Sequence, residues 1–295
     1  MEPIRVGKVK DVYDLGDRLL FKFSNRISVF DKIIPVNVKD KGTSICRTSK
    51  FWFDVLKEMG IETDFLAMKS ENSMEVTKFK VAEGGGSKFW INYLIPLEFI
   101  MRHYVAGSLF DRLKSGEIDY KSLGLTSDYK LGDELETPFF EMTTKFERTD
   151  RPLTINEASK IGGLKIEEIY NIKEIIGKID SRIQREVAKR GLIHADGKKE
   201  FALGLKRNPV VVDTFGTADE DRFWEMDEHS KGRIVELSKE SVRQYYRQTG
   251  YHDQLYRARK EGKPEPDIPA MPQKLVESTS ELYRNLYERI TGNTW

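Results

Sequence analysis

The chain has 295 residues, 39% hydrophobic and 33% charged, as expected of a charge-rich globular protein with one large or two moderate domains. Its 49 Lys and Arg against 48 Asp and Glu leave a formal net charge of +1, which argues against a general nucleic-acid or membrane-surface binder. The single cysteine, Cys46, excludes an intrachain disulfide and a cysteine-cluster metal site.

The first third of the chain is predicted to be rich in strands. Alternating polar and apolar residues predict a hairpin of Lys8–Asp14 and Arg18–Phe23. Apolar residues then recur at helical spacing over about Ser44–Met59, and Gly60 ends this helix. Further strands are predicted at Asp64–Met68, Glu75–Val81 and Trp90–Met101.

Helices are predicted to dominate the rest of the chain. The longest spans about Ile166–Arg190, where isoleucines form one apolar stripe that indicates core packing. The others are a short helix at Leu109–Lys114, one at Lys239–Gln248, and a terminal one at about Gln273–Gly292 after a proline-rich crossing at Pro264–Pro272. We therefore expect an α+β fold in two domains, residues 1–98 and 99–295, with a cleft that suits an adenine ring.

A second predicted hairpin carries a charged face. Side chains two apart on a strand share a face, so Asp196, Lys198 and Glu200 would point the same way. If the chain turns around Lys206-Arg207, Glu200 lies opposite Asp213, with about 5 Å between their Cβ atoms. Two carboxylates at that distance repel unless a divalent cation lies between them, which leaves Lys198 to meet an anionic ligand. The pattern predicts a magnesium–nucleotide site.

The simpler alternative is that this charged face is only solvated. The strand after the turn, Val210–Val212, is continuously apolar, as expected of a buried strand. Asp213 at its end should therefore have a partner rather than lie in open water.

Two further groups of residues are candidates for binding phosphate. Lys8 and Lys10 lie on one face of the first predicted strand, where they could hold nucleotide phosphates as point charges. The second group lies beside the ends of predicted elements, where arginines and the N–H groups of a helix start could grip a phosphate. It consists of Arg102, Ser108, Arg222, Lys239 and Arg243. Taken singly, each of these residues could instead be an exposed surface residue.

Six motifs, in order along the chain, resemble those of one known family. They are Gly7–Tyr13, Ser24–Asp31, Lys41-Gly42 with Phe51–Leu56, Arg102–Ser108, Ala195–Phe201, and Val212-Asp213 through Asp221–Trp224. Together they resemble the SAICAR synthetase family, the phosphoribosylaminoimidazole-succinocarboxamide synthases, and the C-terminal part is similar to the longer, yeast-like branch. Six motifs in the same order are far more specific than any one of them.

The resemblance implies a fold and a reaction. The fold is the two-lobed SAICAR synthase-like fold, a small β-rich N-terminal lobe over a larger α+β, ATP-grasp-like lobe. The reaction joins L-aspartate to the carboxylate of 5-amino-1-(5-phosphoribosyl)imidazole-4-carboxylate in purine biosynthesis, and it consumes ATP with Mg²⁺ as cofactor. Its products are SAICAR, ADP and phosphate.

The resemblance also implies roles for individual residues. Lys8, Lys10, Glu200 and Asp213 would bind ATP, and Glu200 and Asp213 would ligate Mg²⁺. Lys198 and Asp196 would be catalytic and contact the carboxylate or amino group of the ribonucleotide. The ribonucleotide phosphate would be bound by Arg102, Ser108, Arg222 and Arg243, and Lys239 would be a further substrate-binding residue.

Five positions depart from the pattern of this family. Thr214 stands where a glutamate is usual, and the others are Asn25, Thr149, Ala202 and Ser238. Lost carboxylates could weaken metal or nucleotide binding or change the accepted substrate. The sequence therefore leaves open a paralogue that uses another ribonucleotide carboxylate or another amine, and a nucleotide-binding protein without catalysis. A kinase-like phosphotransferase is a further alternative, although the His-Arg-Asp and Asp-Phe-Gly sequences are missing.

The location and partners of the chain are expected to be those of a metabolic enzyme. The N-terminal residues lack the apolar core of a signal peptide, and no apolar run approaches membrane-spanning length, so we expect a cytoplasmic protein. We expect small-molecule partners and neither a nucleic acid nor a membrane. The sequence does not decide between a monomer and a homo-oligomer.

Overall fold

The computed structural model describes residues 2–82, 85–147 and 150–295, and its N-terminal part is built on an antiparallel sheet. The strands of this sheet are β1 (Arg5–Val6), β2 (Lys10–Asp14), β3 (Arg18–Phe23), β6 (Phe65–Ser70) and β7 (Ser73–Thr77). Their spatial order is β1-β2-β3-β7-β6. A separate hairpin consists of β4 (Arg26–Val29) and β5 (Lys32–Asn37).

A second, larger sheet organises the rest of the chain. Its strands are β8 (Lys80–Val81), β9 (Tyr93–Leu94), β10 (Leu97–Tyr104), β11 (Glu134–Thr144), β12 (Pro152–Leu153), β13 (Leu192–Leu203), β14 (Pro209–Val212) and β15 (Asp221–Glu225). The first half of β13 lies between β10 and β15, and its second half lies between β9 and β14. The longest strand is therefore at the centre of the sheet, and most of its residues are buried.

Helices cover both sheets. They are α1 (Lys41–Glu58), α2 (Gly107–Lys114), α3 (Ile155–Gly162), α4 (Ile166–Ala188), α5 (Met226–His229), α6 (Glu240–Gln248), α7 (Tyr251–Glu261) and α8 (Gln273–Thr291), with a 3₁₀ turn at Tyr120–Leu123. The apolar stripe of α4, from Ile169 to Val187, is fully buried and packs on β13, while α8 packs on α1. No helix in the described ranges is long and apolar enough to cross a membrane.

Most of the predicted elements are confirmed, with ends shifted by a few residues. The first hairpin, the long helix and the terminal helix all form. The strand β11 and the helices α3 and α7 were not predicted. Cys46 is fully buried on α1, and burial raises the pKa of its thiol to about 12, as expected of a packing residue rather than a nucleophile.

The predicted domain boundary lies within a strand of the second sheet. A division between residues 98 and 99 falls inside β10, whose hydrogen-bonded pairing with β11 and β13 is continuous across it. The chain passes from the first sheet to the second between Thr77 and Lys80. The division of the chain into two domains itself stays a prediction.

Candidate active site

The charged hairpin has a register one residue away from the predicted one. Glu200 lies opposite Val212, so the predicted pairing of Glu200 with Asp213 was wrong. The reason is the loop, which has three residues because the N–H of Gly204 donates to the carbonyl of Asn208 at 2.9 Å. The last loop residue, Arg207, has a φ of 58°, as is usual for a three-residue hairpin loop.

Asp213 nevertheless reaches the same group of charges as Glu200. A one-residue slip would put an extended residue 213 on the other face of the sheet. Asp213 is not extended, because β14 ends at Val212 and Asp213 has a φ of 63°. Lys145 forms an ion pair with Glu200, and the charges of both Glu200 and Asp213 raise its pKa against the effect of burial.

Three lysines alternate with carboxylates around this point, and we call the set the lysine–carboxylate cluster. Lys10 forms an ion pair with Asp213, and Lys145 forms one with Glu200. Lys198 is surrounded by Glu98 at 2.7 Å, Glu220 at 3.3 Å and Glu200 at 3.4 Å. The cluster consists of Lys10, Lys145, Lys198, Glu98, Glu200, Asp213 and Glu220.

The carboxylates of this cluster differ in their readiness to ionise. Burial raises the pKa of Glu98 to about 7, although the ammonium of Lys198 acts against this. Burial also acts to raise the pKa of Asp213, but the ammonium groups of Lys10 and Lys145 outweigh it and hold that pKa below its usual value. Asp213 is therefore an anion at neutral pH and can serve as an oxygen ligand.

Thr214 helps to orient Asp213. Its N–H donates to Oδ1 of Asp213 at 2.6 Å, and its hydroxyl donates to the same oxygen at 3.3 Å. Position 214 therefore carries no charge but holds one oxygen of the neighbouring carboxylate.

A second group of charged residues lies along the same face of β13, and we call it the arginine cluster. It consists of Asp196, Arg102, Arg222, Ser108 and Glu141. Asp196 is buried and accepts from Arg102 at 2.9 Å and from Arg222 at 2.6 Å. Arg102 also donates to the hydroxyl of Ser108 at 3.1 Å and forms an ion pair with Glu141. The carboxylate of Asp196 thus holds two guanidinium groups side by side.

Three of the proposed site residues lie at the margins of these clusters. Arg243 pairs with Glu240 at 3.2 Å, and its charge acts on Glu236 next to Arg222. Lys239 lies 3.9 Å from Asp219, and burial lowers its pKa. Lys8 pairs with Asp31 at 2.6 Å, where both side chains are about half exposed.

A surface cavity of about 930 Å³ lies elsewhere, between the end of α1, α4 and the start of β14. Its lining includes Met59, Glu62, Lys178 and Pro209, and none of the residues of the two clusters. The cavity is lined by two cationic residues, Lys178 and Arg185. The two clusters bring together three lysines and two arginines, so they are the better candidate for binding the phosphates of a nucleotide.

Comparison with known proteins identifies the family of the chain. The family model for SAICAR synthetase matches residues 3–258. The chain belongs to the SAICAR synthetase family. Its function is therefore that of a ligase of purine biosynthesis.

Individual relatives cover the whole chain. It is 59% identical to the phosphoribosylaminoimidazole-succinocarboxamide synthase of Thermoplasma acidophilum and 56% identical to that of Thermoplasma volcanium, over all of both chains in each case. A solved SAICAR synthetase in complex with ADP superimposes with a TM-score of 0.70 at 26% identity and covers 99% of this chain and 98% of its own. The Saccharomyces cerevisiae enzyme in complex with SAICAR has the same fold, with a TM-score of 0.76 at 24% identity over 100% of this chain and 96% of its own.

Two of the positions that depart from the pattern of SAICAR synthetases, Asn25 and Ser238, accept hydrogen bonds from backbone N–H groups. Asn25 accepts the N–H of Gly42 at 3.1 Å, at the start of α1. Ala202 is fully buried, and the hydroxyl of Ser238 accepts the N–H of Glu240 at 3.3 Å. Thr149 lies outside the described residues.

Sequence reasoning missed several residues of the site. Glu141 belongs to β11 and Lys145 directly follows it, and this strand was not predicted. Glu98 and Glu220 were passed over because a single acidic residue has no distinctive pattern. Alternation of buried and exposed residues along Phe139–Thr144 is weak, since β11 is buried on both faces near its end.

The oxygen donors fit a divalent cation such as Mg²⁺, which prefers carboxylate oxygens. Glu200 and Asp213 both lie near the ammonium group of Lys145, which pairs with Glu200 and is also acted on by the charge of Asp213. In addition, Oδ1 of the buried Asp64, whose other oxygen accepts the N–H of Asp213, has no hydrogen-bond partner among the described residues.

Proposed function

We propose that the two clusters are the two halves of one ligase site. Lys8, Lys10, Lys145 and Lys198 bind the phosphates of ATP, and Glu200 and Asp213 hold Mg²⁺. The single observation that carries this assignment is the alternation of three lysines with Glu200 and Asp213 in one largely buried cluster. The solved relative that binds ADP supports a nucleotide in this family.

The arginine cluster suits the phosphate of the ribonucleotide. Arg102 and Arg222 are held side by side by Asp196, which orients them for a planar, bidentate contact. Ser108 lies in the first turn of α2, whose N-terminus has no side-chain cap, so its N–H groups can add to the anion site. Lys239 and Arg243 lie farther out and complete the positive charge.

The reaction forms an amide in two steps. A carboxylate oxygen of the imidazole nucleotide attacks the γ-phosphorus of ATP, the bond to ADP breaks, and an acyl phosphate results. The amine of L-aspartate then attacks the acyl carbon, phosphate leaves, and the amine loses a proton. Both steps need closely held reactants and neutralised charge rather than a protein nucleophile.

The residues of the chain supply this positioning. Lys198 is the member of the lysine–carboxylate cluster that lies next to Asp196 on the face of β13, and it can neutralise the carboxylate that becomes phosphorylated. Lys10 and Lys145 can neutralise charge on the transferred phosphoryl group. Mg²⁺, when bound by Glu200 and Asp213, would polarise the phosphate oxygens.

Substitution of the two metal carboxylates tests the assignment. We expect Glu200→Gln and Asp213→Asn each to lower turnover on the order of a hundredfold and to raise the Mg²⁺ concentration needed for half-maximal rate. The assay follows amide formation from the imidazole carboxylate nucleotide, ATP and L-aspartate. The control is Glu62→Gln, which removes an exposed carboxylate near the same hairpin. Unchanged magnesium dependence in both site variants would reject the metal assignment.

A panel of amines tests the substrate. L-aspartate should be converted far better than other amines, and the product should be an amide rather than a phosphorylated compound. If another amine reacts and L-aspartate is inert, the chain is a ligase of different specificity.

A further inference from the structure

Arg222 is held by two carboxylates, which contact different nitrogens of its guanidinium group. Nη1 donates to Asp196 at 2.6 Å, and Nε lies 3.0 Å from Oε1 of Glu236. The third nitrogen, Nη2, makes no hydrogen bond with any described residue and lies against Gly107, where a Cβ would be 2.4 Å from it. Because Gly107 is the first residue of α2, this free nitrogen lies at the N-terminus of that helix. Glu236 thus helps to aim Arg222 at the proposed phosphate site.

The carboxyl group of Glu236 lies among charges of both signs. Its side chain is 14% exposed and belongs to the segment between α5 and α6. The charged groups that act on it are Arg222 of β15, Asp196 of β13, and Glu240 and Arg243 of α6. Burial raises the pKa of Glu236 to about 7, where Arg222 acts against this rise and the charges of Glu240 and Asp196 add to it. Glu236 is therefore close to half protonated at neutral pH.

Asp196 differs from Glu236, although it contacts the same guanidinium group. Burial acts to raise the pKa of Asp196, but Arg222 and Arg102 outweigh it and hold that pKa below its usual value. A phosphate group that binds beside Arg222 adds negative charge close to both carboxylates, and like charges disfavour the ionised form. Asp196 keeps a second arginine as its partner, so Glu236 is the group that takes up a proton.

A purely structural ion pair does not account for the position of Glu236. The backbone already ties the segment that carries it to β15, since the N–H of Leu237 donates to the carbonyl of Phe223 at 2.8 Å and the N–H of Glu225 donates to the carbonyl of Val235 at 3.0 Å. The side chain of Glu236 is therefore free to serve the guanidinium group that it contacts.

We propose that Glu236 is a proton-linked positioning residue of the ribonucleotide site, which orients Arg222 and takes up a proton when the phosphate of the ribonucleotide binds to that guanidinium group. This inference rests on the proposed function, because it takes the binding of the phosphate to the arginine cluster as given. The proton removes one negative charge beside the bound phosphate. Ribonucleotide binding therefore weakens as the pH rises above about 7, because the carboxylate must first be protonated.

Isothermal titration calorimetry with the imidazole carboxylate nucleotide measures this proton directly. Titrations of the wild type at about pH 7.5, in buffers of different ionisation enthalpy, should show uptake of about half a proton for each ribonucleotide bound. The phosphate group itself contributes little, because its second pKa is about 6 and it is already a dianion at this pH. Release of protons, or no exchange, would overturn the proposal, and this measurement does not depend on any variant.

Substitution by glutamine assigns the proton to this residue. Glu236→Gln keeps an oxygen beside Arg222 but removes the charge, so the variant should take up almost no proton. It should bind the ribonucleotide about tenfold more tightly than the wild type at about pH 8 and about equally at about pH 6, because only the wild type must be protonated first. A variant that binds more weakly than the wild type by the same factor at both pH values would show a merely structural role for Glu236.

Glu228→Gln is the matched control, because it removes a partly exposed carboxylate of α5 that pairs with Arg233. This variant should match the wild type in proton uptake and in affinity at both pH values. If it changes as much as Glu236→Gln does, the effect reports the net charge of the region rather than contact with Arg222, and the proposal fails.

Arg222→Lys separates this proposal from the proposed function. It keeps the charge but loses the planar fork, so it should weaken ribonucleotide binding. If Arg222→Lys weakens binding while Glu236→Gln keeps the proton uptake and pH dependence of the wild type, the proposal about Glu236 is wrong and the proposed function stands. If Arg222→Lys binds the ribonucleotide as the wild type does, the assignment of the phosphate to the arginine cluster itself fails.

Discussion

Asp213 shows how one backbone angle determines what a carboxylate contacts. The pairing of β13 with β14 would turn an extended residue 213 away from Glu200. The left-handed conformation of Asp213 interrupts that alternation, and Asp64, Thr214 and Lys10 hold it in place. Such conformations cost a non-glycine residue about 1–3 kcal/mol, so the surrounding contacts must over-determine them.

Arg243 provides a test at the scale of a residue. Arg243 pairs with Glu240, and its charge acts on Glu236, which lies next to Arg222. We therefore expect Arg243→Ala to raise the KM for the ribonucleotide about tenfold, with a smaller effect on kcat. Steady-state kinetics with the ribonucleotide varied measure this.

Arg247 is the matched control, because it also pairs with Glu240 but is 45% exposed. Arg247→Ala should leave the KM for the ribonucleotide unchanged. Equal increases in both variants would mean that Arg243 acts by holding Glu240 and α6 rather than by contact with the substrate.

At the scale of elements, the start of α2 depends on a glycine. Gly107 has a φ of 52°, and a Cβ built there would lie 2.4 Å from Nη2 of Arg222. The absence of a side chain therefore allows the guanidinium to lie against the N-terminus of the helix, where both can face the same anion.

Replacement of this glycine should disturb ligand binding more than its backbone strain explains. We expect Gly107→Ala to displace Arg222 and raise the KM for the ribonucleotide, in addition to the cost of about 1–2 kcal/mol for a left-handed alanine. Gly116→Ala, just after α2, carries the same kind of strain with no atom within 4 Å of its Cβ. If both variants have the same KM, the close approach of Arg222 has no role in binding.

The opposite face of β13 carries a buried ionic network. Lys199, which is fully buried, pairs with Asp180 of α4 and, at 3.2 Å, with Asp221 at the start of β15. His103 lies 3.0 Å from Asp180, and His194 lies 2.7 Å from Asp221. His103, Asp180 and His194 offer potential metal ligands within 4.8 Å of one another, but Lys199 already supplies a cation to Asp180. The network joins α4 and β15 to the central strand.

Asp180→Asn should therefore destabilise the fold. Burial opposes ionisation of Asp180, but Lys199 and His103 outweigh it and hold its pKa below the usual 3.8. We expect a loss of about 3–5 kcal/mol in the free energy of unfolding at neutral pH, since a charged partner stays buried. Denaturant unfolding measures the difference, and Asp54→Asn, which breaks a half-exposed pair with Lys50, should change it little.

The effect of Asp180→Asn should depend on pH in one direction. A lowered folded-state pKa stabilises the fold at pH values above the unfolded pKa, and this contribution is lost as pH falls toward the folded pKa. The difference in the free energy of unfolding between wild type and variant should thus have its full value above about pH 5 and should shrink below pH 3.8. A difference that grows in acid would contradict the ionised state of Asp180.

At the scale of the whole molecule, one core connects the two sheets. A continuous buried cluster runs from Phe21 of the first sheet to Ile290 of α8. Polar contacts follow the same path, since the indole of Trp52 donates to the carbonyl of Gly216 at 2.9 Å and Lys41 pairs with Asp219 at 2.7 Å. The elements that carry the lysine–carboxylate cluster are thereby held against each other.

The chain should unfold in a single transition. Far-ultraviolet circular dichroism and tryptophan fluorescence, which report on helices and on the buried Trp52 and Trp224, should give coincident denaturation curves. A fragment of residues 1–98 should show no cooperative unfolding, because much of its core is shared with later elements. Two separate transitions would favour the division into independently stable domains.

Much of this arrangement was determined by the sequence alone. Apolar periodicity specified the long helix, the first hairpin and the buried strand before Asp213, because these patterns record burial residue by residue. The charged positions of β13 and the arginines could be predicted because they lie in distinctive local motifs. Only the tertiary structure decided the register, through a loop one residue longer than expected, and the convergence of Lys145, Glu98 and Asp213 on Lys198. Those residues come from four separate segments, and contacts across the chain leave no periodic trace in any one of them.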